Sequence, residues 1–178
     1  LKKLTEDLVE ASKASSGSLP VHLAPTDVNV LLSQLAGDYI EKLEGAQLEP
    51  IFHPAPSQPV IQADGQLLSR VLGNLFSNIC KYAMPGTRVY FESTADEKTV
   101  SLTFKNISKY ELNIPAEELM ARFVRGDRAR HTEGSGLGLS IAQSLTELQG
   151  GTFRIEIDGD LFKAVVTFPR ARAESAQL

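Results

Sequence analysis

The sequence predicts one α+β domain in which helices and strands mix in a layered arrangement. Three observations lead there: 178 residues suffice for one sizeable core, amphipathic helical stretches are interspersed with short strand-like runs, and no internal repeat divides the chain. Eighteen basic against 22 acidic residues give a net charge of −4 without a long basic run, which argues against nucleic-acid binding. The single cysteine, Cys80, offers neither a disulfide framework nor metal-ligand spacing and reads as a small core residue of a protein in a reducing compartment. No stretch approaches the roughly 18 consecutive apolar residues of a membrane span, and no signal peptide opens the chain, so a soluble fragment is expected.

The elements follow in order. Leu1, Leu4, Leu8 and Ala11 form a helical stripe that Ser15-Ser16-Gly17-Ser18 ends. A helix this short is marginal alone, so it packs on its own domain or ends a longer coiled segment. Opening on Leu1 inside that pattern, the chain reads as a piece of something longer. Pro20 to Leu23 reads as a strand, and Thr26-Asp27 caps a helix with apolar positions Val30, Leu31, Leu35 and Ile40, ending at Gly45. Leu48 to His53 is the next strand. Pro54, Pro56 and Pro59 break the chain before Val60-Ile61, and Asp64 caps a helix through about Ala83. Thr87–Ser93 and Val100–Asn106 alternate like a hairpin around a polar turn. A polar stretch over 107–135 holds a short helix near Pro115–Met120, and a helix from about Gly136 to Gln149 ends at Gly150-Gly151 before strands at 152–157 and 161–168.

Two stretches carry chemistry. In "NLFSNICKYA" the helical period brings Asn74, Asn78, Lys81 and Tyr82 to one side, and Leu72, Leu75, Phe76 and Ile79 to the other. The polar side is either a solvent face or a ligand wall. A carboxamide oxygen suits Mg²⁺, which keeps most of its shell as water and phosphate oxygens, and Lys81 one turn on is placed to meet phosphates. "GSGLGLSIAQ" puts Gly134, Gly136 and Gly138 within five positions, where glycine is destabilising by about 0.5–1 kcal/mol relative to alanine unless the backbone must turn or wrap something. Its spacing fits neither the dinucleotide fingerprint nor the P-loop. A helix N-terminus with glycine amides can nevertheless cradle the same phosphates from across a cleft.

Here the chain resembles the ATP-binding catalytic domains of sensor histidine kinases, within the wider Bergerat-fold ATPases. "NLFSNICKYA" is similar to the N box, "MARFVRGDRAR" to the F box, and "EGSGLGLSIAQSLTELQGG" to the G2 box with its following helix. The resemblance covers roughly residues 20–169. It implies a two-layer α/β sandwich, a mixed and mostly antiparallel sheet with helices on one face. Residues 1–18 would end a dimerisation and phosphoacceptor helix, 19–170 form the catalytic domain, and 171–178 a disordered tail. It implies Asn78 as Mg²⁺ ligand with Asn74 beside it, Lys81 on the phosphates, and Tyr82 lining the nucleotide pocket. Phe123 would anchor a mobile lid, Arg125 or Arg130 reach the terminal phosphate, and Gly134, Gly136 and Gly138 admit the backbone to the phosphates, with Leu137 and Leu139 packing beneath. ATP and Mg²⁺ are the implied cofactors. The implied partners are the phosphoacceptor histidine domain of the same protein, homodimeric in the full-length chain, and a response regulator; the location is cytoplasmic, on a parent that is a membrane-bound sensor or a soluble one.

Two departures stand out. Where the family places the adenine-binding aspartate of its G1 box, Asn106 stands, and both glycines of that box are missing from "KNISKYELNIP". No histidine lies in the N-terminal helix; His22, His53 and His131 read as ordinary surface or loop residues. In the ATP-hydrolysing relatives a glutamate one turn before the magnesium asparagine acts as base for water, and here that position is Asn74, which cannot accept a proton at neutral pH. The resemblance therefore implies phosphoryl transfer to a protein histidine, with this fragment inactive in self-phosphorylation. The alternatives are a serine kinase of the anti-sigma type and a degenerate, non-catalytic nucleotide-binding or interaction domain.

Overall fold

The computed structural model describes residues 2–112, 115–125 and 137–172. In chain order they form α1 (Lys2–Ser15), β1 (Ala24–Asp27), α2 (Val28–Gly45), β2 (Glu49–His53), β3 (Val60–Ala63), α3 (Gly65–Tyr82), β4 (Arg88–Ala95), β5 (Thr99–Ile107), α4 (Ala116–Arg125), α5 (Gly138–Leu148), β6 (Thr152–Asp158) and β7 (Leu161–Pro169). The main sheet has the order β2-β4-β5-β7-β6. β2 pairs with β4 in parallel and every other neighbour is antiparallel, which is the mixed, mostly antiparallel sheet the resemblance implies.

Alternation along β4 and β5 decides which face is covered. Val89, Phe91, Val100, Leu102, Phe104 and Asn106 are buried, while the residues between them stay half-exposed. The helices lie on the buried face. At the centre Phe76 of α3 stacks on Phe91 (4.5 Å between centroids) and meets Phe104 edge-on (5.3 Å), geometries favoured by the aromatic quadrupole. Leu72, Leu75, Phe76 and Ile79 are all buried, as the helical period predicts.

α3 and α5 pack against each other and run antiparallel. At one end the backbone N–H of Asp64 donates to Gln149 Oε1 at 2.9 Å, and at the other Gly138 faces Asn74. Asp64 caps α3 by accepting from Gln66 N and Leu67 N, and it also accepts from His22 N at 2.9 Å. These N–H donors, that of His22 foremost, hold its carboxyl below the usual aspartate range. α5 ends as expected: Gly150 sits at φ +85°, its N–H donates to Glu147 O, and Gly151 N donates to Thr146 O.

Three local expectations are corrected. The early strand lies at Ala24–Asp27 rather than Pro20–Leu23, because it pairs with β3 in a separate two-stranded sheet, with Asp27 opposite Val60. Asp27 then doubles as the cap of α2, accepting from Asn29 N and Val30 N. In α2 the buried stripe is Val28, Leu32 and Leu43, with Leu35, Ala36 and Tyr39 packed alongside, whereas Val30 and Ile40 face solvent; spacing alone does not say which of two apolar stripes meets the sheet. The helix after Pro115 extends to Arg125. At the far end, Arg170 N donates to Lys98 O and Ala171 N to Val60 O, which ties the chain down beyond β7.

Candidate functional site

The site is built where α3, the start of α5 and the end of β5 converge. Asn74, Asn78, Lys81 and Tyr82 all sit half-buried along α3, opposite the apolar face that packs on the sheet. Asn74 is brought against α5: a Cβ built on Gly138 would lie 3.8 Å from Asn74 Oδ1. That is ordinary van der Waals contact, so the start of α5 lies directly beside the asparagine. Asn74 Nδ2 is sealed from solvent and has no hydrogen-bond partner among the described residues. Asn78 makes no side-chain hydrogen bond there either, whereas Lys81 is engaged in an interaction of its own.

α5 supplies the opposite wall. Its first residue follows Leu137, which caps the helix without a side-chain hydrogen bond, so the cap residue itself supplies no side-chain oxygen to the first amides of the helix. Those amides carry the positive end of the helix dipole. Leu137 and Leu139 are buried beneath, in the packing role expected of them. Ser140 Oγ donates to Leu137 O at 2.9 Å and closes the first turn.

The third wall is the end of β5. Asn106 points to the buried face, 2% exposed, and its Oδ1 has no partner among the described residues. The segment behind it is fixed to the C-terminus of α3: Met84 N donates to Ile107 O, Lys109 N to Tyr82 O, and Ala83 bridges Ser108. Two buried carboxamides, one offering a bare donor and one a bare acceptor, are therefore held on rigid elements that lock to each other. An unsatisfied buried amide group costs about 1–3 kcal/mol, so each of these atoms calls for a partner beyond the described residues.

Other predicted residues are not placed. Phe123 and Arg125 belong to α4, with their side chains outside the description, and Arg130, Gly134 and Gly136 lie outside the described residues. Among the described residues no cluster of three or more histidine, cysteine or carboxylate side chains forms a metal site, which leaves carboxamide oxygen as the donor type this wall offers. Spacing had not exposed two features: the Gln149 side chain that joins the start of α3 to the end of α5, and the Gly138–Asn74 contact. Both couple residues some 60 to 85 positions apart, and the only local signal was the glycine itself.

Residues 63–172 match the family model described as histidine kinase-, DNA gyrase B-, and HSP90-like ATPase, and the chain belongs to that family. Its relatives within the family are sensor histidine kinases, and it is a catalytic ATP-binding domain of the type they carry. The sensor histidine kinase HprS of Escherichia coli (strain K12) is 32% identical over 85% of this chain and 33% of its own length. The chain thus spans about a third of that relative. Among solved structures, the Acinetobacter baumannii histidine kinase AdeS superposes with a TM-score of 0.74 at 17% identity, over 94% of this chain and 77% of that one. Full-length ShkA in complex with AMPPNP gives a TM-score of 0.74 at 23% identity, over 96% of this chain and 36% of that one. At those identities the two structures speak for the fold.

Proposed function

We propose that the domain binds Mg-ATP between α3, the N-terminus of α5 and the end of β5, and passes the terminal phosphoryl group to a histidine on a dimerisation domain outside residues 19–170. The observation that carries this reading is the pair of buried carboxamide atoms, Asn74 Nδ2 and Asn106 Oδ1, without a hydrogen-bond partner among the described residues, in a domain of an ATPase family. Complex formation of the structural neighbour ShkA with AMPPNP supports a nucleotide of this class.

In this reading each residue has a task. Asn106 faces the base and Tyr82 lines its pocket. Asn78 offers the carboxamide oxygen that would hold Mg²⁺, with Asn74 beside it. The ion, when bound, neutralises phosphate charge and fixes phosphate oxygens. Lys81 meets the phosphates from α3. Gly138 at the start of α5 and the residues that precede it in sequence, Gly134, Gly136 and Leu137, meet them with their backbone, aided by the dipole. Phe123 anchors the segment that covers the nucleotide, and Arg125 and Arg130 reach the terminal phosphoryl group. Such transfer needs positioning and charge neutralisation more than covalent help from the protein. Residues 1–18 end the dimerisation helix of a homodimeric parent, and a response regulator takes the phosphoryl group onward. No helix among the described residues is long and apolar enough to cross a membrane; a cytoplasmic domain of a sensor kinase accords with that.

The test is calorimetric. Asn78→Ala removes one oxygen ligand and leaves the apolar face of α3 intact, so Mg-ATP affinity falls about tenfold or more, for a loss of about 1.5 kcal/mol or above. An Asn78→Ala protein that binds Mg-ATP as tightly as the parent, with an unchanged thermal midpoint, overturns the assignment.

A further inference from the structure

The two edges of the main sheet are built differently. One edge is β2, five residues long with Pro50 inside it; a short strand with a proline is a common guard against pairing with another chain. The other edge is β6, which runs Thr-Phe-Arg-Ile-Glu-Ile-Asp over 152–158 without proline or glycine and stays in unbroken register with β7. Among the described residues, the backbone of 152–158 makes no hydrogen bond beyond its pairing with β7. On an edge strand every second residue turns its N–H and C=O outward, so β6 presents a row of unpaired groups.

The side chains of β6 divide cleanly between the two faces. Phe153, Ile155 and Ile157 lie opposite Val166, Ala164 and Phe162 on the helix-covered face, with Ile155 buried and Phe153 and Ile157 half-buried. Arg154 and Glu156 lie opposite Val165 and Lys163 on the open face. Arg154 Nε donates to Glu156 Oε1 at 2.8 Å and Lys163 Nζ lies 3.0 Å from Glu156 Oε2, yet the Arg154 and Glu156 side chains stay 61% and 43% exposed.

This order of residues is complementary to itself. When a copy of the strand is laid antiparallel with Ile155 opposite Ile155, Arg154 falls opposite Glu156, Glu156 opposite Arg154, and Phe153 opposite Ile157. Slipping the pairing by two residues either way sets Arg154 or Glu156 opposite itself, which like charge disfavours. The charges therefore select one register, and it is the symmetric one.

We propose that β6 is a pairing edge for a second copy of this chain. The two strands join about a two-fold axis at Ile155, and the two five-stranded sheets become one of ten strands with the helices of both copies on the same side. Main-chain hydrogen bonds supply the affinity, Arg154 and Glu156 fix the register, and Phe153 covers the half-buried Ile157 of the second copy. So small a contact places the dimer among transient associations, with a Kd of about micromolar to millimolar. The pairing uses neither α1 nor the nucleotide site and is independent of the function proposed above.

Sedimentation velocity of the 178-residue chain over a concentration series tests it. The parent passes from monomer to dimer as concentration rises. Arg154→Glu sets like charges opposite each other twice across the axis, and Glu156→Lys does the same with the other sign. Each raises the dimer Kd about tenfold or more, with thermal midpoints checking that each stays folded. An equimolar mixture of the two variants meets with opposite charges at both positions and recovers association close to the parent's. In the parent alone, amide exchange within 152–158 slows from dilute to concentrated samples while β4 and β5 stay unchanged. A parent that remains monomeric at about millimolar concentration overturns the proposal and leaves the edge to a strand of a different protein. Dimerisation with unchanged exchange in β6 overturns it, as do single variants that associate like the parent, since the contact then lies elsewhere. A mixture of folded variants that stays monomeric overturns it too.

Discussion

Asn106 shows how much one side-chain atom sets. A charged aspartate oxygen accepts a hydrogen bond roughly twice as strongly as a neutral carbonyl, so Asn106→Asp tightens ATP by about fivefold for a difference of about 1 kcal/mol. Selectivity moves further. The amide at 106 can turn its NH₂ toward a carbonyl oxygen on a base edge, which an aspartate meets with acceptor against acceptor. The native domain therefore separates ATP from GTP weakly, and Asn106→Asp sharpens the ratio; calorimetric titration of both nucleotides into both proteins measures it, and an unchanged ratio means that 106 does not touch the base. The candidate residues of α3 were legible in the sequence because the helical period alone assigns them a side. That Asn106 Oδ1 and Asn74 Nδ2 find no partner among the described residues was not legible, since it depends on where α5 and the chain beyond Ile107 pack.

At the scale of elements, the caps and the tight helix–strand contacts are where single changes have the largest effect. Asp64 caps α3 and holds His22 N, and its carboxyl is stabilised in the charged form. A carboxyl lowered by folding contributes stability that is complete above its unfolded value, about 3.9, and that fades as the pH falls through the lower folded value. Asp64→Asn is accordingly less stable than the parent at neutral pH, by about 1 kcal/mol for a charged cap, and the gap closes below about pH 4. Thermal midpoints of the two proteins between pH 7 and pH 2.5 check this, and a gap that persists at the acid end contradicts it. Gly151 makes a second case. A Cβ there would lie 2.7 Å from Phe168 Cε1, in a ring that is buried and has no room to retreat. Gly151→Ala therefore destabilises the domain by about 1–3 kcal/mol, as overpacking does, and urea unfolding reads it directly. Gly150-Gly151 was legible as a helix end; that its second glycine answers to an aromatic ring on β7 was not, because a glycine pair in sequence looks the same whether it serves a turn or a neighbour.

For the whole molecule, the helices and the β4–β5 and β6–β7 hairpins could be read from period and turns, whereas the parallel β2–β4 pairing and the separate β1–β3 sheet could not. Both join strands through intervening helices, so no local pattern records them. The ion triad of Asp7, Glu10 and Arg70, which joins α1 to α3, is invisible for the same reason: Arg70 lies some 60 residues from its carboxylates, and in sequence it is one charge among many. The same long-range placement bears on the chemistry proposed for ATP. α3 carries no carboxylate between Gly65 and Tyr82, and the side chain aimed at the α5 N-terminus is the amide of Asn74, so this stretch of α3 offers no carboxylate to take a proton from water. His22 and His53 are exposed, and His53 is held by Glu92 at 3.3 Å on the far edge strand pair. On the function proposed above, the expected outcome is that the chain alone binds Mg-ATP, turns it over no faster than the uncatalysed background, and does not label itself. Adding a separate dimerisation hairpin that carries an acceptor histidine restores transfer onto that hairpin. Incubation with γ-labelled ATP, followed by acid- and base-stability analysis of any phosphoprotein, separates the outcomes: stable label on His22, His53 or His131 refutes this account, as does steady release of inorganic phosphate by the chain alone.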